Sequence, residues 1–349
     1  MARKITKMIM VGNVPVGGDS PITIQSMTNT ITADITSTVN QIIRMEEKGC
    51  GIVRSAVNNL DDAKALKKIK NQINIPIVAD IQFDYKLGIM AVENGCDCLR
   101  INPGNIGAEH KVREIVEVCK AYSVPIRIGV NSGSLSKEMV DKFGGVNTDS
   151  LVESAIEQIE MLEKYNFDQI KISIKSSHVK TMIESYTKLS DLTDYPLHLG
   201  VTEAGPVQKG TIKSSIGIGT LLYNGIGDTL RVSLTGDPVE EVVVGREILR
   251  SLGLYNKGID LISCPTCSRT KVDLIEIVNK AEKLLEKYDK NLTIAIMGCP
   301  VNGPGEAKEA DIGIACAGGY GIIFKKGQTI RRVEEDMLLD ALIEEIDML

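Results

Sequence analysis

The sequence predicts an α/β protein: a (β/α)8 TIM barrel over residues 1–255, followed by a small α+β domain over 256–349. Three observations carry that expectation. Eight short runs rich in β-branched residues recur, each followed by a polar tip and a segment of helical period. No hairpin signal separates them, so the crossovers are right-handed and the strands parallel. Past Leu252 the pattern breaks at Gly253 and Gly258, and too few residues remain for a second barrel.

The eight runs are 22–27, 51–57, 76–80, 97–102, 125–130, 169–175, 196–201 and 228–234. Between them, segments 38–48, 60–70, 110–121, 149–164 and 239–252 mix an apolar stripe with charges, as helices on the outside of a barrel do. A doubly wound open sheet is the structural rival. It would carry a Gly-rich phosphate loop after its first strand, whereas this one ends Gln25-Ser26-Met27-Thr28-Asn29-Thr30. In the second domain the expected order is a strand into the Cys264 loop, a helix over 271–287 and a strand over 292–297. Two or three short strands over 311–333 and a final helix over 334–348 complete it.

Composition narrows the function classes. Apolar residues make up 43% and charged residues 25%, but aromatics only 4% with no Trp, so packing rests on Ile, Val, Leu and Met. With 40 basic against 46 acidic residues the net charge is −6, which argues against a general nucleic-acid surface or a polybasic membrane anchor. No apolar run approaches the roughly 20 residues that span a bilayer, and the N-terminus lacks the apolar core of a signal peptide. The expectation is a cytoplasmic protein whose eight cysteines are thiols or metal ligands rather than disulfides.

In such a barrel, chemistry is built at the C-terminal ends of the strands. Read in order, those ends supply Gln25 and Asn29, Arg54, Asp80, Arg100 and Asn102, Arg127 and Asn131, Lys171 and Lys175, Glu203, then Arg231 and Ser233. Four arginines inside or beside apolar strands need anionic partners, because a buried unpaired guanidinium is costly. Each could pair with a helix carboxylate; as a set they suit a diphosphate, whose oxygens guanidinium groups bind in bidentate fashion. Glu203, in Gly200-Val201-Thr202-Glu203-Ala204-Gly205, is the acid–base candidate, with a structural pairing to Lys175 as the alternative. His198 reads as a satisfied core residue, and Cys50, Cys96, Cys98 and Cys119 as packing thiols.

The other candidate site is Ser263-Cys264-Pro265-Thr266-Cys267-Ser268-Arg269 together with Met297-Gly298-Cys299-Pro300-Val301-Asn302-Gly303-Pro304-Gly305-Glu306. Three thiols in Pro- and Gly-rich loops form a metal or cluster cradle. A closed zinc site needs four ligands, and Cys316, which would complete them, reads as part of a strand. Three cysteines also fit a [4Fe–4S] cluster with one distinctive iron, whose fourth position is open or filled by oxygen. Glu306, seven residues after Cys299, is the oxygen candidate; its alternative is a carboxylate favoured at a helix start. Radical chemistry with S-adenosylmethionine is not expected, since no C-x-x-x-C-x-x-C is present.

These loops, with Gln25 to Thr30, Arg100 to Gly107, Arg127 to Leu135, Lys171-Ile172-Ser173-Ile174-Lys175, Leu197 to Gly205 and Gly225 to Leu234, closely resemble a known family. It is the 4-hydroxy-3-methylbut-2-enyl diphosphate synthases, iron–sulfur enzymes of the non-mevalonate isoprenoid pathway, in their short bacterial two-domain form. The resemblance implies reductive ring opening and dehydroxylation of 2-C-methyl-D-erythritol 2,4-cyclodiphosphate, with electrons from reduced flavodoxin or ferredoxin passing through a [4Fe–4S] cluster. It implies Cys264, Cys267, Cys299 and Glu306 as cluster ligands. It implies Arg54, Arg100, Arg127, Asn131, Lys175, Arg231 and Ser233 as the substrate-binding and acid–base positions, with Glu203 as proton donor or base. It also implies a homodimer in which one subunit's cluster domain covers the other's barrel. One departure stands out: the family often has Asp-Ile-His where this chain has Asp80-Ile81-Gln82, and a Gln cannot titrate.

Overall fold

The computed structural model describes residues 2–300, 305 and 307–349, and the chain divides into two compact units, Met1–Leu254 and Tyr255–Leu349. In the first, β3 (Thr23–Met27), β4 (Ile52–Ala56), β5 (Ile77–Asp80), β6 (Cys98–Ile101), β7 (Ile126–Asn131), β8 (Ile170–Lys175), β9 (His198–Leu199) and β10 (Thr229–Leu230) form one parallel sheet. Its order is β8-β7-β6-β5-β4-β3-β10-β9, and a parallel bridge between Ile172 and Leu197 joins the two ends into a barrel. All eight expected strands are present. The last two pair over only two residues each, which is why 196–201 and 228–234 look longer in sequence than they are as strands.

Helices α1 (Ile35–Glu47), α2 (Leu60–Lys70), α3 (Tyr85–Glu93), α4 (Pro103–Ile106), α5 (Glu109–Tyr122) and α6 (Lys137–Lys142) belong to this unit. So do α7 (Thr148–Glu163), α8 (Val179–Leu192), α9 (Val207–Tyr223) and α10 (Pro238–Ser251). Their starts follow side-chain caps: Asp34 accepts from Ser37 N, Asn59 from Asp61 N and Asp62 N, and Asn147 forms a capping box with Ser150. The Asp34 cap explains why α1 begins at Ile35 rather than at 38.

An antiparallel hairpin, β1 (Ile9–Val11) with β2 (Val14–Val16), precedes the barrel and was not expected. Its two-residue turn, Gly12-Asn13 with Gly12 at φ +58°, is a legible hairpin signal. Ile9, Val11 and Val16 bury against Ile52, Val78 and Cys98 at the starts of their strands, so the hairpin closes the N-terminal end of the barrel.

The second unit is a five-stranded mixed sheet, β11 (Ile259–Ser263), β12 (Leu292–Met297), β13 (Ile312–Cys316), β14 (Tyr320–Lys325) and β15 (Gln328–Glu334), in sequential order. Its first three strands are parallel and its last two join antiparallel. Alternation splits the sheet's faces: Ile294, Ile296, Ile312 and Ile314 pack with α11 (Leu274–Leu285) and α12 (Leu338–Asp347), while Ala295, Met297, Ala315 and Phe324 form a second cluster. Cys264 packs against both clusters.

Candidate functional site

Strand register decides which barrel residues share a face. Asp80 pairs with Arg100, Arg100 with Arg127, and Arg127 with Lys171, while Asn131 pairs with Lys175. Arg127 Nη1 donates to Gln25 Oε1 at 3.2 Å, and since β7 and β3 are not neighbours in the sheet, that bond crosses the interior. The intervening residues Leu99, Ile101, Ile126, Ile128, Ile170, Ile172 and Ile174 are fully buried on the opposite, helix-facing side. Barrel interiors usually carry branched apolar residues. This one is lined by cations.

Arg54, Arg100, Arg127 and Lys175 are all buried, Arg127 completely. Asp80 faces them: its carboxylate lies 3.0 Å from Arg100 Nη1 and 3.6 Å from Arg54 Nε. Burial alone would raise the Asp80 pKa, but Arg54, Arg100 and Arg127 outweigh it and hold the carboxyl below its ordinary range. Gln82 Nε2 donates to Asp80 Oδ1 at 3.2 Å, so the residue that departs from the family pattern serves this carboxylate as a neutral donor. Arg54 also donates from Nε and Nη2 to Met27 Sδ at 3.1 and 2.9 Å. With its amide oxygen turned to Arg100, Asn131 accepts from Nη2 at 3.1 Å.

One carboxylate does not neutralise this interior. Burial, then Arg54, Arg231, Arg127 and Arg100, push the Lys175 ammonium well below the ordinary lysine range. Burial, with Arg100 next, pushes Arg127 down to about 10, where it still carries its charge at neutral pH. Arg127 Nε and Nη2, Arg100 Nε and Lys171 Nζ are buried without a hydrogen-bond partner among the described residues. Groups of this kind require an anion or ordered polar ligand.

Arg231 is held differently. Its Nε and Nη2 lie 3.2 and 3.1 Å from the two oxygens of Glu241 on α10, which also accepts from Ser26 Oγ and Leu234 N. It is thus the arginine for which a helix carboxylate is the partner. Glu203 follows β9, exposed and at φ +52°, an uncommon conformation for a non-glycine residue. No ion pair joins Glu203 to Lys175 among the described residues, so the structural pairing of the two is not seen. Ser233 lies half-buried after β10.

His198 is a core residue, as expected, but only half satisfied. Its Nδ1 lies 2.8 Å from Thr229 Oγ1, while Nε2 has no partner among the described residues. Burial, then Arg127 and Lys175, push its pKa well down and keep it neutral. Cys50, Cys96, Cys98 and Cys119 are buried thiols whose pKa values burial raises.

In the second unit, Cys264 follows β11 and Cys299 follows β12, so two adjacent parallel strands deliver both to the same end of the sheet. Gly298 N donates to Cys264 Sγ at 3.2 Å, which joins the two loops directly. Cys267 is exposed, and the backbone N–H of Arg269 leads the causes that lower its thiol pKa. Thr270 ties the turn: its Oγ1 accepts from Cys267 N at 3.3 Å, and its side chain fills the space where Gly298 lacks a Cβ. Cys316 ends β13 inside the core, with its pKa raised to about 11, chiefly by burial. Among the described residues no three His, Cys, Asp or Glu side chains group tightly enough for a single metal ion. Glu306 lies outside the described residues.

The GcpE TIM-barrel domain matches residues 6–246, and the C-terminal domain of the GcpE protein matches 260–348. The chain belongs to the GcpE family. Its GcpE relatives include the 4-hydroxy-3-methylbut-2-en-1-yl diphosphate synthase (flavodoxin) of Clostridium tetani, 59% identical over 99% of both chains. That of Clostridium perfringens is 58% identical, again over 99% of both chains. Among solved structures, the dihydropteroate synthase of Yersinia pestis superimposes with a TM-score of 0.50 over 70% of this chain and 98% of that one, at 11% identity. The HPPK-DHPS of Plasmodium falciparum gives 0.52 over 80% of this chain and 54% of that one, at 14% identity. These two likenesses concern the barrel fold alone. No helix among the described residues is long and apolar enough to cross a membrane.

Proposed function

We infer that this GcpE chain catalyses the formation of 4-hydroxy-3-methylbut-2-enyl diphosphate by reductive ring opening and dehydroxylation of 2-C-methyl-D-erythritol 2,4-cyclodiphosphate. The observation that carries the reading is the barrel interior, where Asp80 faces Arg54 and Arg100, Arg127 and Lys175 are buried with them, and buried donors of Arg100 and Arg127 are left unmatched. A diphosphate supplies the missing negative charge, and several fixed cations bind it without reorganising. Asn131, Arg231 and Ser233 complete the anion-binding set. Glu203 is the proton donor or base.

The second unit carries the residues that would hold a [4Fe–4S] cluster. Three thiols on two loops, tied together by the Gly298–Cys264 bond, suit such a cluster, which takes thiolates at separate corners. Cys264, Cys267 and Cys299 are its ligands, with Glu306 as the fourth, a carboxylate that can leave. The lowered pKa of Cys267 favours the thiolate that ligation requires. Bound there, such a cluster would supply two electrons singly, drawn from a reduced flavodoxin, the donor for which the relatives are named. The setting is the cytoplasm and the working form a homodimer.

The test is an anaerobic assay with the cyclodiphosphate and a chemical reductant, following iron and sulfide content alongside product. Product in proportion to cluster content, and none without reductant, is expected. Turnover that persists without reductant would instead mean a hydro-lyase built on an open-iron cluster.

A further inference from the structure

Gly129 lies midway between Arg127 and Asn131 on β7 and therefore shares their interior face. A Cβ there would sit 2.5 Å from Arg100 Nε, 2.7 Å from its Nη2 and 2.9 Å from its Cζ. Carbon cannot approach three guanidinium atoms so closely, so the plane of Arg100 rests on the bare Cα of Gly129. The backbone does not ask for glycine: Gly129 is absent from the positive-φ positions, and β7 pairs regularly with β8 through it. What needs the gap is the arginine.

The guanidinium is fixed at both ends as well, by Asp80 at 3.0 Å from Nη1 and by the Asn131 amide oxygen at 3.1 Å from Nη2. Its Nε, buried and without a partner among the described residues, is left for a ligand. We propose that Gly129 is a positioning residue, whose missing side chain is the seat that holds the Arg100 guanidinium flat in the barrel for the substrate diphosphate. The inference rests on the anion-binding reading of this interior. Alanine at 129 lifts the guanidinium from its seat and pulls Nη1 and Nη2 away from Asp80 and Asn131 together.

The test is a cycle of Gly129→Ala, Arg100→Ala and the double variant, each anaerobically reconstituted. Cyclodiphosphate KM, kcat, iron content and thermal midpoint are measured for all three. Gly129→Ala is expected to raise KM roughly tenfold or more, the loss of a charge-assisted contact, with a smaller change in kcat and unchanged iron content. The double variant should show the KM and thermal midpoint of Arg100→Ala alone, because truncating the arginine empties the space that alanine needs. If Gly129→Ala alone does not fold, a folded double variant matching Arg100→Ala still supports the seat. A double variant that does not fold, or one whose KM penalties multiply, overturns it. Unchanged KM in Arg100→Ala would instead remove the anion-binding reading, and the seat with it.

Discussion

Replacing Asp80 by Asn removes the carboxylate that the buried cations face. Asp80 is 4% exposed, within 3.0 Å of Arg100 and 3.6 Å of Arg54. The amide keeps the shape and can still accept a hydrogen bond, but the guanidinium groups lose their counter-charge. Breaking a buried ion pair from one side costs about 3–5 kcal/mol, because the remaining charge stays buried and uncompensated. For a domain of this size each kcal/mol moves the thermal midpoint by about 2–4 °C, so the barrel's transition should fall by roughly 6–20 °C. Pyrophosphate should restore more stability to the variant than to the wild type, since it meets a more positive interior. The pH dependence has a definite sign. The folded pKa of Asp80 is lowered, so its contribution is complete above the unfolded value of about 3.9 and is lost as pH falls through the folded one. The gap between the two proteins should therefore narrow below about pH 4. Scanning fluorimetry across pH, with and without pyrophosphate, reads all of this. A variant melting with the wild type at neutral pH would refute the argument that this carboxylate balances the interior.

Three further outcomes are expected. Arg127→Ala should weaken cyclodiphosphate binding by about a hundredfold, the equivalent of a bidentate charged contact, while iron content stays unchanged; the opposite pattern would relocate the anion site. Cys267→Ser should abolish cluster assembly and turnover with the barrel still folded, as read by absorbance near 400 nm and circular dichroism. A fully active variant removes Cys267 from the ligand set. Lys171 is pushed by burial from 10.5 to about 8, so the folded state bears a penalty in full below about 8 that is relieved as pH rises toward 10.5. Lys171→Met should accordingly stabilise the protein at pH 7 by up to about 3 kcal/mol, at about 1.36 kcal/mol per unit, with the gain shrinking above pH 8. Equal gains at pH 7 and 10 would assign the effect to packing.

The fold was legible because strand and helix periods are local: alternating β-branched runs and amphipathic stripes recur eight times before Leu252, whatever they pack against. The hairpin at Ile9–Val16 has a local signal in its Gly12-Asn13 turn but stands outside the repeating strand–helix period, so that period does not reveal it. Proximity to strand ends singles out Arg54, Arg100, Arg127 and Lys175, but it does not say which carboxylate faces which cation. Glu241 is the clearest case: a helix residue with nothing unusual in its sequence context takes Arg231, Ser26 and Leu234 onto one carboxylate.

By itself, then, the sequence determined the architecture and the family, since motif spacing and periodicity survive without knowledge of long-range contacts. Only the tertiary structure decided how the charges are shared. Partners such as Asp80 with Arg100, Arg127 with Gln25 and Gly129 with Arg100 lie 20, 102 and 29 residues apart and meet only when strand register closes the barrel. Electrostatic interaction depends on that distance and on burial, neither of which is a property of any single stretch of chain.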